Sequence, residues 1–200
     1  MIRNIIFDFG DVFINLDKLV LVKAMSKYGH NSTISELNSL NDSYETGQIT
    51  STEFLEVLTA SFKGVSRGKI QEIWNSMLLD FPDYRLKFLE DLKIQDKYRM
   101  FLLSNTNALH IPHVTDKMGQ EKFDRFKNCF EGFYLSHEIG MRKPDLQIFE
   151  FVLNQHNLIA AETLFIDDTL ENTAAAEKLN IKTWHLKVGV EDIIDIKLRL

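Results

Sequence analysis

The 200-residue sequence predicts an α/β fold: a doubly wound, mostly parallel Rossmann-like sheet with an inserted α-helical cap. Two observations carry this. Short apolar runs recur along the chain, each ending on small polar or acidic residues: Asn4 to Phe7 before Asp8, Arg99 to Leu103 before Ser104, Thr163 to Ile166 before Asp167. Runs of that length bounded by turn signals read as strands buried on both faces, as in parallel sheets. The second observation is that residues 16–80 carry helical patterns and no strand. They lie between the first strand and everything that alternates, so they read as an insertion. The expected division is an α/β core of residues 1–15 and 81–200, with residues 16–80 as the cap.

The first strand ends abruptly on a carboxylate. Burying an unpaired carboxylate is costly, so Asp8 is expected at the strand's C-terminal tip, which faces the ligand crevice of an open α/β sheet. Gly10 lets the chain bend away there and brings a backbone carbonyl close to whatever binds. In the insertion, Leu21, Met25 and Tyr28 recur at helical spacing, and Gly29 stands where a C-terminal cap belongs. Thr33 with Glu36, and Thr50 with Glu53, have the spacing of capping boxes. Ser66 opens a fourth helix through Ile70, Ile73, Trp74 and Met77. The turn Glu45-Thr46-Gly47 is either a plain polar turn or a segment that dips over the site and reads the substrate.

A helix is expected from Pro82-Asp83 to about Leu92, then the strand from Arg99 that opens into Ser104-Asn105-Thr106-Asn107. Small polar residues at a strand tip supply hydroxyl and amide donors where a helix can begin. His110 and His113 flank Pro112 with no third ligand nearby, which argues against a metal pair. Residues 115–128 read as a solvated polar stretch, Phe130 to Leu135 as a strand, and Ser136 to Arg142 as an irregular connection. Lys143 precedes Pro144, expected at a first helical position, and the helix of Ile148, Phe149 and Val152. A lysine beside the positive end of a helix dipole suits a site that gathers positive charge for an anion. Thr169 is expected to cap the helix that runs through Ala174 to Leu179 with Asn172 in its first turn. Lys182 to Leu186 reads as the last strand.

The net charge of −6 weighs against nucleic acid or an anionic membrane as main partner. The single cysteine, Cys129, allows no intrachain disulfide and fits a reducing compartment. No run approaches the ~20 apolar residues of a spanning helix, and no signal peptide is evident, so a cytoplasmic protein is expected.

The informative fact is joint. In chain order, strand ends present one carboxylate, a hydroxyl with an amide, one lysine and two carboxylates. In a parallel sheet neighbouring tips converge. Asp8 with Asp167 and Asp168 would then form an oxygen-rich pocket suited to Mg²⁺ and a phosphate, with Lys143 and Ser104 as donors. Asp8 would be both metal neighbour and nucleophile, since carboxylates form aspartyl-phosphate intermediates.

The segments FDFGDV, LLSNTN, GMRKPD and FIDDTLEN, in this order, resemble the four motifs of the haloacid dehalogenase-like hydrolase superfamily. The helical insertion resembles its small α-helical cap. The likeness is to the branch with α-D-glucose-1-phosphate phosphatase and the N-terminal phosphatase domain of soluble epoxide hydrolases. It implies a Mg²⁺-dependent phosphatase acting on a small phosphorylated metabolite, such as a sugar phosphate. By the same resemblance Asp8 is the nucleophile, and Asp8, the Gly10 carbonyl, Asp168 and, beside it or through water, Asp167 hold the metal. Ser104, Asn105 and Lys143 bind phosphate, and Asn172 steadies the substrate or the loop. One departure stands out: Gly10 occupies the position where most phosphatases of the superfamily carry an acid/base aspartate. Asp11, one residue on, could substitute. A dehalogenase, a phosphomutase and a non-catalytic phosphate-binding relative are the competing readings.

Overall fold

A computed structural model of the chain describes residues 1–198. Five strands, β1 (Asn4–Phe7), β2 (Arg99–Ser104), β3 (Gly132–Leu135), β4 (Thr163–Asp167) and β5 (Lys182–His185), form one parallel sheet in the order β3-β2-β1-β4-β5. The central strand β1 is buried throughout, which explains its apolar run. Phe7 pairs in register with Leu102 on one side and Ile166 on the other, so the residues that follow β1, β2 and β4 leave the sheet side by side.

Alternate side chains of the strands enter two cores. Phe7, Leu102 and Ile166 pack on one face with Leu86 and Leu89 of α5 (Asp83–Ile94) and with Val114, Phe123 and Phe126. Ile6, Phe101, Leu103 and Phe165 pack on the other with α9 (Leu146–His156) and α10 (Leu170–Glu177). A sheet covered on both faces is the doubly wound arrangement.

Four helices lie between β1 and α5: α1 (Val20–Tyr28), α2 (Ile34–Glu45), α3 (Ser51–Ala60) and α4 (Arg67–Asn75). They share a third cluster, in which Tyr44 stacks on Phe54 at 4.2 Å between ring centroids and Phe54 meets Trp74 at 4.8 Å. Both capping boxes form: Thr33 and Thr50 accept from the backbone of Glu36 and Glu53, whose carboxylates accept in return. Gly29 ends α1 at φ +71°, where a side chain would be strained. The segments into and out of these helices pair antiparallel. Asn15 donates to the Asp80 carbonyl and accepts from Leu79, and Asp17 donates to Met77 (2.8–2.9 Å).

Several local expectations fail for identifiable reasons. Residues 115–128 are not a solvated stretch: α6 (His110–Met118) and α7 (Gln120–Lys127) bury Val114, Phe123 and Phe126. The two phenylalanines of α7 stand three apart among six polar residues, too few for periodicity to register. Ser136 to Arg142 includes a short helix, α8 (Ser136–Ile139), closed by Gly140 in the left-handed region. Pro144 is not the first helical residue, because Asp145 takes the N-cap position and α9 begins at Leu146. Thr169 precedes α10 but its hydroxyl does not cap it; the Asp167 carboxylate accepts from the Thr169 N–H instead, at 2.8 Å. α4 stops at Asn75, short of Met77, and α10 at Glu177, short of Leu179. Among the described residues, no helix is long and apolar enough to cross a membrane.

Phe126 is fully buried, and the rings of Phe9, Phe13, Phe81, Phe130 and Phe133 lie 5.1–6.0 Å from its own. Phe126→Ala is expected to cost about 3–5 kcal/mol of unfolding free energy, read by urea denaturation. A cost within ordinary surface scatter would show that the residues 120–127 do not seal the core.

Candidate active site

The site is assembled where β1, β2 and β4 end. Asp8 follows β1, its N–H donating to the Ile166 carbonyl of β4 at 2.9 Å, so the backbone ladder itself fixes where the carboxylate emerges. Lys143 reaches the same place from the loop before α9. Its Nζ lies 2.6 Å from Asp8 Oδ1 and 2.6 Å from Asp167 Oδ2, with all three side chains buried. Burial alone would depress the Lys143 ammonium, but Asp167 and Asp8 outweigh it and hold its pKa above the ordinary lysine range.

Asp8 responds the other way. Burial, with Asp167 and Asp168 nearby, pushes its pKa up to about 7 against the pull of Lys143. Asp168 is also raised, by burial first, with Lys18 offsetting part of it. One oxygen each from Asp8, Asp167 and Asp168 lie within 4.8 Å of one another. Like charges that close resist joint ionisation without a cation. Lys18, at the entrance to α1, adds a second ammonium: its Nζ is 3.0 Å from Asp11 Oδ2 and bonds Asp168 Oδ2. Four carboxylates thus meet two ammonium groups, a surplus of two negative charges when all are ionised. Hard oxygen donors with that surplus fit one divalent cation such as Mg²⁺.

Gly10 stands beside this cluster. A Cβ there would come within 2.7 Å of Leu16 Cδ1 and 3.8 Å of Asp8 Oδ2, so any side chain would push Leu16 out of place. Asp11 lies in the left-handed region at φ +53°. Its Oδ1 accepts from the Leu16 N–H at 2.9 Å and its Oδ2 pairs with Lys18. Both Asp11 oxygens are thus engaged, and Asp11 meets the cluster through Lys18, which also binds Asp168.

The polar residues after β2 divide their work. Ser104 is buried, and its hydroxyl has only a long 3.4 Å contact to the Asn105 carbonyl, which leaves it able to donate to an anion. Asn105 lines the cavity, yet its amide clasps the backbone of Lys143: Oδ1 accepts from the N–H at 2.9 Å and Nδ2 donates to the carbonyl at 2.8 Å. Asn172 donates to both oxygens of Asp167, at 3.1 and 3.0 Å, and so steadies the loop after β4.

These groups form the floor of a cavity of about 650 Å³ whose roof comes from α1, α2 and α4. Leu21, Met25, Leu37 and Trp74 supply apolar wall; Asn38, Asn41 and Glu45 supply polar wall. Burial raises the Glu45 pKa against the pull of Arg142, whose Nη2 lies 3.0 Å from Glu45 and Nη1 3.1 Å from Asp42. Gly47, at φ +67°, sits so close to α8 that a Cβ would fall 2.5 Å from the His137 carbonyl. His110 stacks on Trp74 at 5.0 Å and is neutral near pH 7, since burial lowers its pKa to about 4.

The family model for haloacid dehalogenase-like hydrolases matches residues 2–180. The chain belongs to that family. A D-ribitol-5-phosphate phosphatase from Bacteroides thetaiotaomicron is 25% identical over 197 residues, covering 96% of this chain and 95% of the relative. A sesquiterpene phosphatase from Aspergillus oryzae is 41% identical over 117 residues, 58% of this chain and 56% of the relative. A haloacid dehalogenase family enzyme from Bacteroides thetaiotaomicron, solved with magnesium and inorganic phosphate, superposes with a TM-score of 0.79 at 35% identity, covering 96% and 97% of the two chains. The chain is an enzyme of this family, and the phosphatase reading of its motifs agrees with its named relatives.

Sequence reasoning singled out Asp8, Lys143, Asp167 and Asp168, and the fold brings all four together. It missed Lys18 and Arg142. Their signal is weak, because Lys18 reaches Asp168 across 150 positions and Arg142 reaches Glu45 across 97.

The raised Asp8 carboxyl has a thermodynamic signature. Between the ordinary value of 3.8 and about 7, the folded chain holds a proton that the unfolded chain has lost. That contribution to stability is complete below the unfolded value and disappears as pH rises through the folded one. In cation-free buffer, the stability of wild type relative to Asp8→Asn is expected to fall between about pH 4 and about pH 8. Urea unfolding across that range checks it, and parallel pH profiles for the two proteins would contradict it.

Proposed function

We propose that the protein is a Mg²⁺-dependent phosphatase that hydrolyses a small phosphomonoester of the sugar or polyol class through a phosphoaspartyl intermediate on Asp8. The observation that carries this is the buried Lys143 ammonium, 2.6 Å from Asp8 and from Asp167, beside three carboxylates at the C-terminal edge of a parallel sheet. Phosphoryl transfer asks mainly for positioning and charge neutralisation, and this edge offers both.

In this reading an Asp8 oxygen attacks phosphorus, the ester P–O bond breaks, and the alcohol departs. Water then cleaves the acyl phosphate and returns the free carboxylate. Asp8, Asp168 and the Gly10 carbonyl would hold Mg²⁺, with Asp167 beside them, and the ion would supply charge neutralisation for the phosphoryl group. Lys143 adds positive charge at the attacked group, and the Ser104 hydroxyl donates to a phosphoryl oxygen. Asn105 keeps the Lys143 backbone in place, and Asn172 keeps Asp167 oriented.

With Asp11 turned toward Leu16 and Lys18, expulsion of the alcohol draws on a proton from solvent. Good leaving groups then gain most. Residues 16–80 act as a cap that covers the phosphorylated end and leaves Asn38, Asn41 and Glu45 to meet hydroxyl groups. The relative that acts on D-ribitol-5-phosphate supports a polyol or sugar ester.

Phosphate release from a panel of sugar, polyol and aryl phosphates tests the proposal. Turnover is expected to require Mg²⁺ and to fall on the order of 10⁴-fold or more in Asp8→Asn. Failure of Mg²⁺ to promote release from any ester would overturn it. Lacking a positioned acid, which is typically worth roughly 10²–10⁴-fold, the enzyme is expected to turn over aryl phosphates faster than alkyl phosphates of similar size. Equal kcat/KM values across leaving groups would restore a proton donor to the site, because kcat/KM reports the step that expels the alcohol.

A further inference from the structure

The two ammonium groups of the site differ in freedom. Lys143 has 1% of its side chain exposed and is clasped along its backbone by Asn105. Lys18 has 50% exposed and is held only through its Nζ, by Asp11 and Asp168. Lys143 is therefore a fixed charge, whereas Lys18 is half exposed and can leave Asp168 for water; the Asp168 side chain, only 7% exposed, then needs another cation.

Asp168 is the shared point. Its carboxylate contributes an oxygen to the three-carboxylate cluster and at the same time binds the Lys18 ammonium. A divalent cation seated against Asp168 would face that ammonium across one carboxylate, where repulsion between like charges is strong. The remaining anchor of Lys18 is Asp11, whose other oxygen holds the Leu16 N–H. Leu16 bridges Leu78 between the two antiparallel linkers that carry the four helices of residues 20–75. Lys18 thus lies immediately beyond that paired hinge and ahead of α1.

We infer that Lys18 is a displaceable counter-cation of the carboxylate cluster. It holds Asp168 while no divalent cation is bound, and divalent binding drives it off, which couples metal occupancy to the hinge of the cap. This rests on the reading of Asp8 and Asp168 as metal ligands. By linkage, whatever Lys18 costs the incoming cation, the cation costs the Lys18–Asp168 contact.

The test is calorimetric titration of Mg²⁺ into cation-free wild type, Lys18→Met and Lys18→Arg, with hydrogen exchange of the hinge amides as a second readout. Lys18→Met is expected to bind Mg²⁺ about tenfold more tightly, within the usual range of coupling between sites. Lys18→Arg, which keeps the charge, is expected to stay close to wild type. The rise in Tm on adding Mg²⁺ is expected to be larger in Lys18→Met than in wild type. Mg²⁺ is expected to alter exchange at residues 15–17 and 77–80 in wild type and to leave it unchanged in Lys18→Met. Equal or weaker binding by Lys18→Met overturns this inference while leaving the metal site standing. No Mg²⁺ binding by any of the three proteins overturns the metal site and this inference together.

Discussion

Crowding of like charge is the constraint on which this structure turns. Asp8, Asp167 and Asp168 bring oxygens within 4.8 Å of each other at one sheet edge, two of these residues fully or almost fully buried. Isolated carboxylates would not remain ionised there. Lys143 makes the arrangement tolerable by sharing one ammonium between Asp8 and Asp167, and the raised Asp8 carboxyl shows that it does so incompletely. The residual negative charge is what gives the site its appetite for a divalent cation. A group of charges that cannot settle among themselves is costly to the fold and useful to catalysis, where charge must be met as it develops.

The parallel sheet supplies the rigidity that such a cluster needs. β1 lies at its centre, hydrogen-bonded on both sides, so the positions of Asp8, Ser104 and Asp167 follow from strand register rather than from loop packing. Lys143 comes from a loop, and that loop is tied to the end of β2 by the reciprocal bonds of Asn105. Ser136 adds a similar tie, accepting from the Thr106 N–H and donating to the Thr106 carbonyl. Rigid elements thus carry the charges, and side-chain amides and hydroxyls lock the one functional loop against them.

The helices of residues 20–75 meet the α/β layer at a few defined points. Arg142 binds Asp42 and Glu45 of α2, Gly47 packs against the His137 carbonyl, and Trp74 stacks on neutral His110. Two of these contacts sit next to residues of the site: Arg142 adjoins Lys143, and Trp74 lines the cavity. A substrate that fills the cavity would therefore touch both layers. Side chains from α1, α2 and α4 line one side of that cavity, and residues of the sheet edge line the other.

The sequence alone determined the parts governed by short-range physics. Apolar runs marked the strands because a parallel strand is buried on both faces, and the paired Thr and Glu residues at three-residue spacing marked α2 and α3 because a capping box is local. The acidic and basic candidates were legible because each closes an apolar run or opens a helix. Only the tertiary structure decided the rest. The Phe123 and Phe126 pair was hidden in a polar stretch, since burial of α7 depends on its neighbours and not on its own composition. That the Asn105 amide clasps the Lys143 backbone, and that Asp11, offered as a residue that could substitute for the missing acid, binds the Leu16 N–H and Lys18, came only with the fold. Which partner a polar side chain takes depends on what folding brings within about 3 Å of it, and that is a property of the whole chain.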